Sequence, residues 1–262
     1  MKLGCCISYH HLEEAKRFGY DFAELSAVEI MSVSEADWPA VCEHIRSIGL
    51  PIIGFNSFSD DRIALVGPHQ DPKKNESYLQ AVLHRAIDLG CRNIGIGAPK
   101  TRQLPADFSY AKATEQMQQF LSIAAQMAAP HHISILYEAL HPYTCNFGNH
   151  TAEICDTVRT LQLANLHMVW DVYHAFLSGE DFAPAIPCME EIRHVHVCGW
   201  DEARNRYYLS ETDAPLIHDL FAFLTEHGYD GTISIEASDK DFSTIGEHSL
   251  HLLRTAQSEA KK

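Results

Sequence analysis

The sequence predicts one α/β domain over residues 1–262, a closed barrel of the (β/α)8, or TIM, type. Three observations lead there. Apolar runs near positions 3–7, 22–25, 52–55, 93–97, 133–137, 166–170, 192–197 and 232–235 make eight candidate strands. These runs alternate with helical patterns, which calls for a parallel sheet, and eight units favour closing that sheet over leaving it open and doubly wound. A length of 262 residues with 46% hydrophobic content suits one sizeable core, and no Ser-, Gly- or Pro-rich stretch marks a second domain.

Taken in order, the first run leads into a helix that Gly19 ends, just before the second run in YDFAEL. Ser34 and the acidic residues after it announce the helix WPAVCEHIRSIG, which Gly49 stops ahead of LPIIGF. SYLQAVLHRAIDLG is amphipathic and reaches Gly90 before CRNIGI, and TEQMQQFLSIAAQMA precedes the fifth run. PLIHDLFAFLTEHG ends at Gly228 before YDGTISIE. Glycine suits the left-handed residue that closes a helix, so these four positions are punctuation and carry no chemistry.

Composition narrows the partners. A formal charge of −15 repels a phosphate backbone, so no nucleic acid is expected. No run approaches 18 apolar residues, which excludes a membrane-spanning helix. The amino terminus MKLGCCISYHHLEEAK carries an acidic pair by position 14 and no long apolar core, so no secretory signal is expected and the cytosol is the expected compartment. Eight cysteines without a CxxC pair, in a chain this long, read as reduced, buried thiols. GIGAPK lacks the third glycine of a dinucleotide fingerprint, and no P-loop occurs elsewhere, so no nucleotide cofactor is indicated.

Four residues able to bind a metal, Glu138, Asp171, His196 and Glu236, stand at the ends of the runs ISILYE, LHMVWD, IRHVHV and TISIE. Their intervals of 33, 25 and 40 residues bracket the repeat of roughly 31 expected of a barrel unit, so they fall one per unit. In such barrels the carboxyl ends of the strands carry the reactive groups. Singly, an acid after a strand reads as well as a helix cap or a solvated loop residue. Together, three carboxylates and an imidazole make a set of mostly hard donors that suits one divalent ion, Mn²⁺, Mg²⁺ or Co²⁺, with Zn²⁺ also open. A divalent ion there polarises a carbonyl beside a hydroxyl, which is chemistry for a hydroxy-carbonyl compound. His194 and Cys198 flank His196 at a spacing of two and share its face, with His194 one layer deeper and Cys198 near the mouth. Phe55, Phe147, Trp170 and Trp200 are candidate apolar walls, with core packing the competing reading.

The set ILYEAL, WDVYHAF, HVHV and ISIEAS resembles the xylose-isomerase-like barrel superfamily of sugar isomerases and epimerases, as do LEEAKRFGYDFAEL, LGCRNIGIG and LTEHGYDGTISIE. Similarity to its ketose 3-epimerase branch implies that Glu138, Asp171, His196 and Glu236 bind the metal. It implies that Glu138 and Glu236 exchange a proton on opposite faces of a carbohydrate substrate, and that His174 contacts the sugar. GAPKTRQLPADF resembles a substrate-side loop of that branch, with Arg102 as a candidate contact. Barrels of this kind are often homo-oligomers.

The sequence also departs from the branch. Where the branch carries a second glutamate, six residues after the first, this chain has Thr144, although Asn146 matches. Where an arginine is expected beyond the strand-seven histidine, Glu202 stands, followed by Arg204 and Arg206, and Arg204 is the candidate replacement next to Trp200. SETDAPL replaces the usual glycine-acid turn. These changes surround the substrate and spare the ligands, so the expected function is a metal-dependent isomerase or epimerase working through an enediolate. A lyase or dehydratase for an inosose-type or 3-keto-glycoside compound needs the same ligands and is the alternative. An apurinic endonuclease needs three zinc ions and further histidines. The run ending at Gly97 offers no histidine, and Asp201 is followed two residues later by Ala203, so that set is incomplete.

Overall fold

A computed structural model describes residues 1–261. Its strands are β1 (Lys2–Cys6), β2 (Phe22–Ser26), β3 (Ile52–Asn56), β4 (Asn93–Ile96), β5 (Ser134–Glu138), β6 (Leu166–Asp171), β7 (Ile192–Val197), the two-residue β8 (Gly199–Trp200) and β9 (Arg206–Tyr207), and β10 (Thr232–Glu236). All but β8 and β9 are parallel and close in the order β1-β10-β7-β6-β5-β4-β3-β2. Each of the eight expected runs is one of these barrel strands, with ends displaced by at most one residue. The seam that closes the barrel pairs β1 with β10 from Lys2↔Thr232 to Cys6↔Glu236, which rules out the open sheet.

Among the described residues nine α-helices surround the barrel: α1 (Leu12–Phe18), α2 (Ala27–Ile30), α3 (Trp38–Ile48), α4 (Pro72–Leu89), α5 (Tyr110–Ala128), α6 (Thr151–Leu161), α7 (Val172–Leu177), α8 (Ala214–Glu226) and α9 (Phe242–Glu259). α4 buries Leu79, Val82, Leu83 and Ala86, and α5 buries Met117, Leu121, Ala124 and Ala128, the one-face spacing of an amphipathic helix lying on a sheet. Gly19, Gly49, Gly90 and Gly228 all have φ between 71° and 92°, as the helix-end reading requires. α3 starts at Trp38, the first residue of WPAVCEHIRSIG. Ser34 closes a preceding turn by accepting the Asp37 amide and donating to Asp37 Oδ2, and Pro39 fits only in the first turn of a helix. All eight cysteines are buried and unpaired.

Arg102, a candidate substrate contact in the sequence, is fully buried behind the strand ends. Its guanidinium donates to the carbonyls of Glu138 and Gly97 and lies 5.2 Å from the Tyr137 ring centroid. It therefore joins the end of β5 to the segment after β4 and fixes the backbone from which Glu138 projects. Next to it, Asn146 pairs with both the amide and the carbonyl of Leu104, at 2.8 and 2.9 Å, and pins one loop to the other.

Replacing Arg102 by Met removes charged hydrogen bonds from two buried carbonyls. It should cost about 2–3 kcal/mol and lower the thermal midpoint by roughly 4–10 °C. The same change at exposed Arg204 should leave the midpoint almost unmoved, and calorimetry on both variants checks the contrast.

Candidate active site

β10, β7, β6 and β5 are contiguous in the ring, and each delivers one side chain to the same point. Glu236, Asp171 and Glu138 are the last residues of their strands, and His196 is the last but one. One donor atom from each lies within 4.8 Å of the other three. His196 Nδ1 is 3.6 Å from Glu138 Oε1, 4.0 Å from Asp171 Oδ2 and 3.5 Å from Glu236 Oε2. Glu138 Oε1 and His196 Nδ1 are buried and make no hydrogen bond, a costly condition for polar atoms unless something else satisfies them. The donors thus fit a divalent cation: orphaned lone pairs converge, and three carboxylates supply the compensating charge. Gly97 permits this arrangement, because a Cβ there would stand 2.2 Å from Glu138 Oε2.

A second layer orients the histidine. Glu24, on β2, is buried, with Oε1 3.2 Å from His196 Nε2 and 2.7 Å from His194 Nε2. When His196 donates its Nε2 proton to Glu24, the Nδ1 lone pair is left facing the three carboxylates, the usual arrangement behind a metal-binding histidine. Burial disfavours ionised Glu24, but His194 and His196 outweigh it and hold the carboxyl well below its ordinary range. His194 also lies 2.6 Å from Thr232 Oγ1, so it serves as a buried strut one layer below the ligands. Cys198 is buried and belongs to neither group of potential metal ligands, whereas Cys6, Glu24 and His196 cluster on the barrel side of the histidine.

Among the basic residues after β7, Arg206 is the one that lines the cavity above the ligands. The β8–β9 hairpin pairs Trp200 with Arg206 and turns on Asp201, which accepts the Arg204 and Asn205 amides. Arg204 sits at the tip with φ of 65°, exposed, and stacks 4.2 Å from the Tyr143 centroid. Arg206 instead points inward. Its Nη1 lies 2.9 Å from Asp171 Oδ2 and donates to Glu236 Oε2, and its guanidinium covers the Tyr173 ring at 4.3 Å. Trp200 packs against Tyr173 and Phe176 and does not line the cavity. Phe55, Phe147 and Trp170 are core residues.

His174 meets two donors. Its Nδ1 accepts the His141 amide at 3.1 Å, while Arg206 Nη2 stands 2.7 Å from Nε2. Burial, with Arg206 and His141 nearby, pushes the imidazole well below its ordinary pKa, so the ring is neutral and has one lone pair. The backbone amide takes that lone pair, leaving Nε2–H beside an Arg N–H. Two N–H donors therefore converge on one point, a geometry that suits an acceptor oxygen.

The carboxylates are not equivalent. Burial raises Asp171, as do Glu138 and Glu236 against the opposing Arg206, to about 7. Burial also opposes ionised Glu236, but Arg206, His196 and a 2.7 Å hydrogen bond from Asn56 hold it at about 2. Of the groups here, Glu24, Asn56 and Tyr173 were not singled out as site residues in the sequence. An ionisable residue inside the apolar strand FAELS was the one visible signal for Glu24.

Elemental analysis of purified protein should find one divalent ion per chain, absent from Asp171→Asn and His196→Ala. Glu24→Gln should retain the ion but bind it about 10–100-fold more weakly by calorimetric titration, since it changes only the support behind His196.

Among curated proteins no sequence matches. Solved structures do share the fold. 3-Keto-D-glucoside 4-epimerase from E. coli superposes with a TM-score of 0.76 at 18% identity, over 97% of this chain and 99% of that one. D-Psicose 3-epimerase from Clostridium cellulolyticum H10 gives 0.79 at 16%, over 98% and 99%. The IOLI protein, described with a bound zinc atom, gives 0.71 at 15%, over 99% and 98%. At these identities the likeness is one of fold. The sequence family described as xylose isomerase-like TIM barrel matches residues 12–257, and the chain belongs to that family.

Proposed function

We propose that the protein is a divalent-metal-dependent isomerase or epimerase that moves a proton next to a carbonyl on a sugar-like substrate, through an enediolate. One observation carries the reading: Glu138 and Glu236 project from the two outermost of four contiguous strands and flank the same cluster of donor atoms. Glu138, Asp171, His196 and Glu236 would hold the ion, which, when bound, supplies Lewis acidity to a carbonyl and its neighbouring hydroxyl. The two epimerases that share the fold support a carbohydrate substrate.

The chain's own groups then divide the work. His174 Nε2–H and Arg206 Nη2 form a two-donor seat for a substrate oxygen, and both bonds strengthen as negative charge grows there. We assign substrate contact to His174 and Arg206, structural support to Arg102 and Trp200, and neither role to exposed Arg204. Glu236, kept ionised by Arg206, removes the proton from the carbon beside the carbonyl. Glu138, across the cluster, returns a proton to the other face. Ile7, Ala98, Leu140 and Ala237 give the cavity an apolar wall, which lowers the polarity around a weak carboxylate base.

The test is solvent exchange. Mn²⁺-loaded protein incubated in D₂O with ketoses and 3-keto-glucosides should place one deuterium next to the carbonyl, read by mass. Glu138→Gln and Glu236→Gln should slow this by about 10²–10⁴-fold, and Arg206→Met should lower kcat/KM where Arg204→Met does not. Loss of water or of an aglycone would transfer the assignment to the lyase alternative, and undiminished exchange in both glutamine variants would sink the acid-base pair.

A further inference from the structure

The cavity extends beyond the ligands. β1, β2 and β3 contribute none of the four, yet the segments after them, with the one after β10, bring Ser8, Glu29 of α2, Ser57, Ser59 and Asp239 to the wall. Ser8 ties the two acids together: its hydroxyl donates to Glu29 Oε1 and its amide donates to Asp239 Oδ2 at 3.0 Å. Glu29 Oε2 and Asp239 Oδ1 accept no hydrogen bond from a described residue. Ser59, only 5% exposed, has a hydroxyl with no partner. Arg206, on the ligand side, is the one Lys or Arg in the lining among the described residues.

We propose that this wall is a second subsite, which takes a neutral hydroxylated ring joined to the reacting sugar. The substrate is then a glycoside of about disaccharide size. The inference rests on the acid-base reading above and adds the substrate class. Free carboxylate oxygens accept sugar hydroxyls, serine hydroxyls both donate and accept, and the uncompensated negative charge repels a phosphate or uronate. The cavity volume of about 730 Å³ lies high in the range of roughly 300–1,000 Å³ of sites that enclose drug-sized ligands, and exceeds what one ring needs.

Two measurements on the metal-loaded protein test it. Calorimetric titration with methyl β-D-glucoside, cellobiose, maltose and a glucose phosphate should show at least one disaccharide bound on the order of tenfold more tightly than the methyl glucoside, with the phosphate weakest. In Glu29→Gln and Asp239→Asn, isosteric changes whose folding is verified by thermal melts, that ratio should collapse toward one. Deuterium exchange on the 3-keto forms of the same sugars should show the same preference in kcat/KM. Exchange without disaccharide preference overturns the subsite and leaves the acid-base reading intact. Disaccharide binding that both variants lose, without exchange on any substrate, does the reverse. Preference that survives both substitutions, or a phosphate that binds best, overturns the subsite.

Discussion

Gathering three carboxylates around one imidazole inside a protein is electrostatically costly, and the mouth of this barrel is arranged around that cost. Burial and mutual repulsion push Asp171 to about 7, while Arg206 keeps Glu236 near 2 and lies 2.9 Å from Asp171. Below the cluster, Glu24 lies beside His194 and His196, which hold its carboxyl well below the ordinary range. The barrel holds both groups rigidly, so the donors remain together despite their repulsion.

The same constraint explains residues that look incidental in the sequence. Gly97 leaves room for Glu138 to lie across the end of β4. Arg102 donates to the carbonyls of Gly97 and Glu138 and so fixes the backbone beneath the ligand. His141 presents its amide to His174 and thereby sets which nitrogen of that ring carries the proton. None of these side chains needs to touch substrate to control the geometry of those that do.

The eight strands and the four candidate ligands were legible because each rests on a local signal: an apolar run, a helix-ending glycine, or an ionisable residue where a strand stops. The start of α3 at Trp38 was legible in the same way, because the Ser34 turn stands just before it. The short α2 and α7 follow their strands at once and carry no periodic pattern to find. The choice between Arg204 and Arg206 was invisible because it depends on where the chain reverses. Counting residues from His196 cannot locate a turn made by Asp201.

The sequence by itself determined the barrel and the side chains able to hold an ion, since strand period, helix caps and donor chemistry are properties of short segments. Only the tertiary structure decided which residues meet. Closing the ring set Glu24 of β2 behind His196 of β7, 172 positions away, and brought the polar side chains after β1, β2 and β3 into one cavity with the carboxylates of β5 and β10. Those contacts are fixed by the order and register in which the strands pair, and no short segment encodes either.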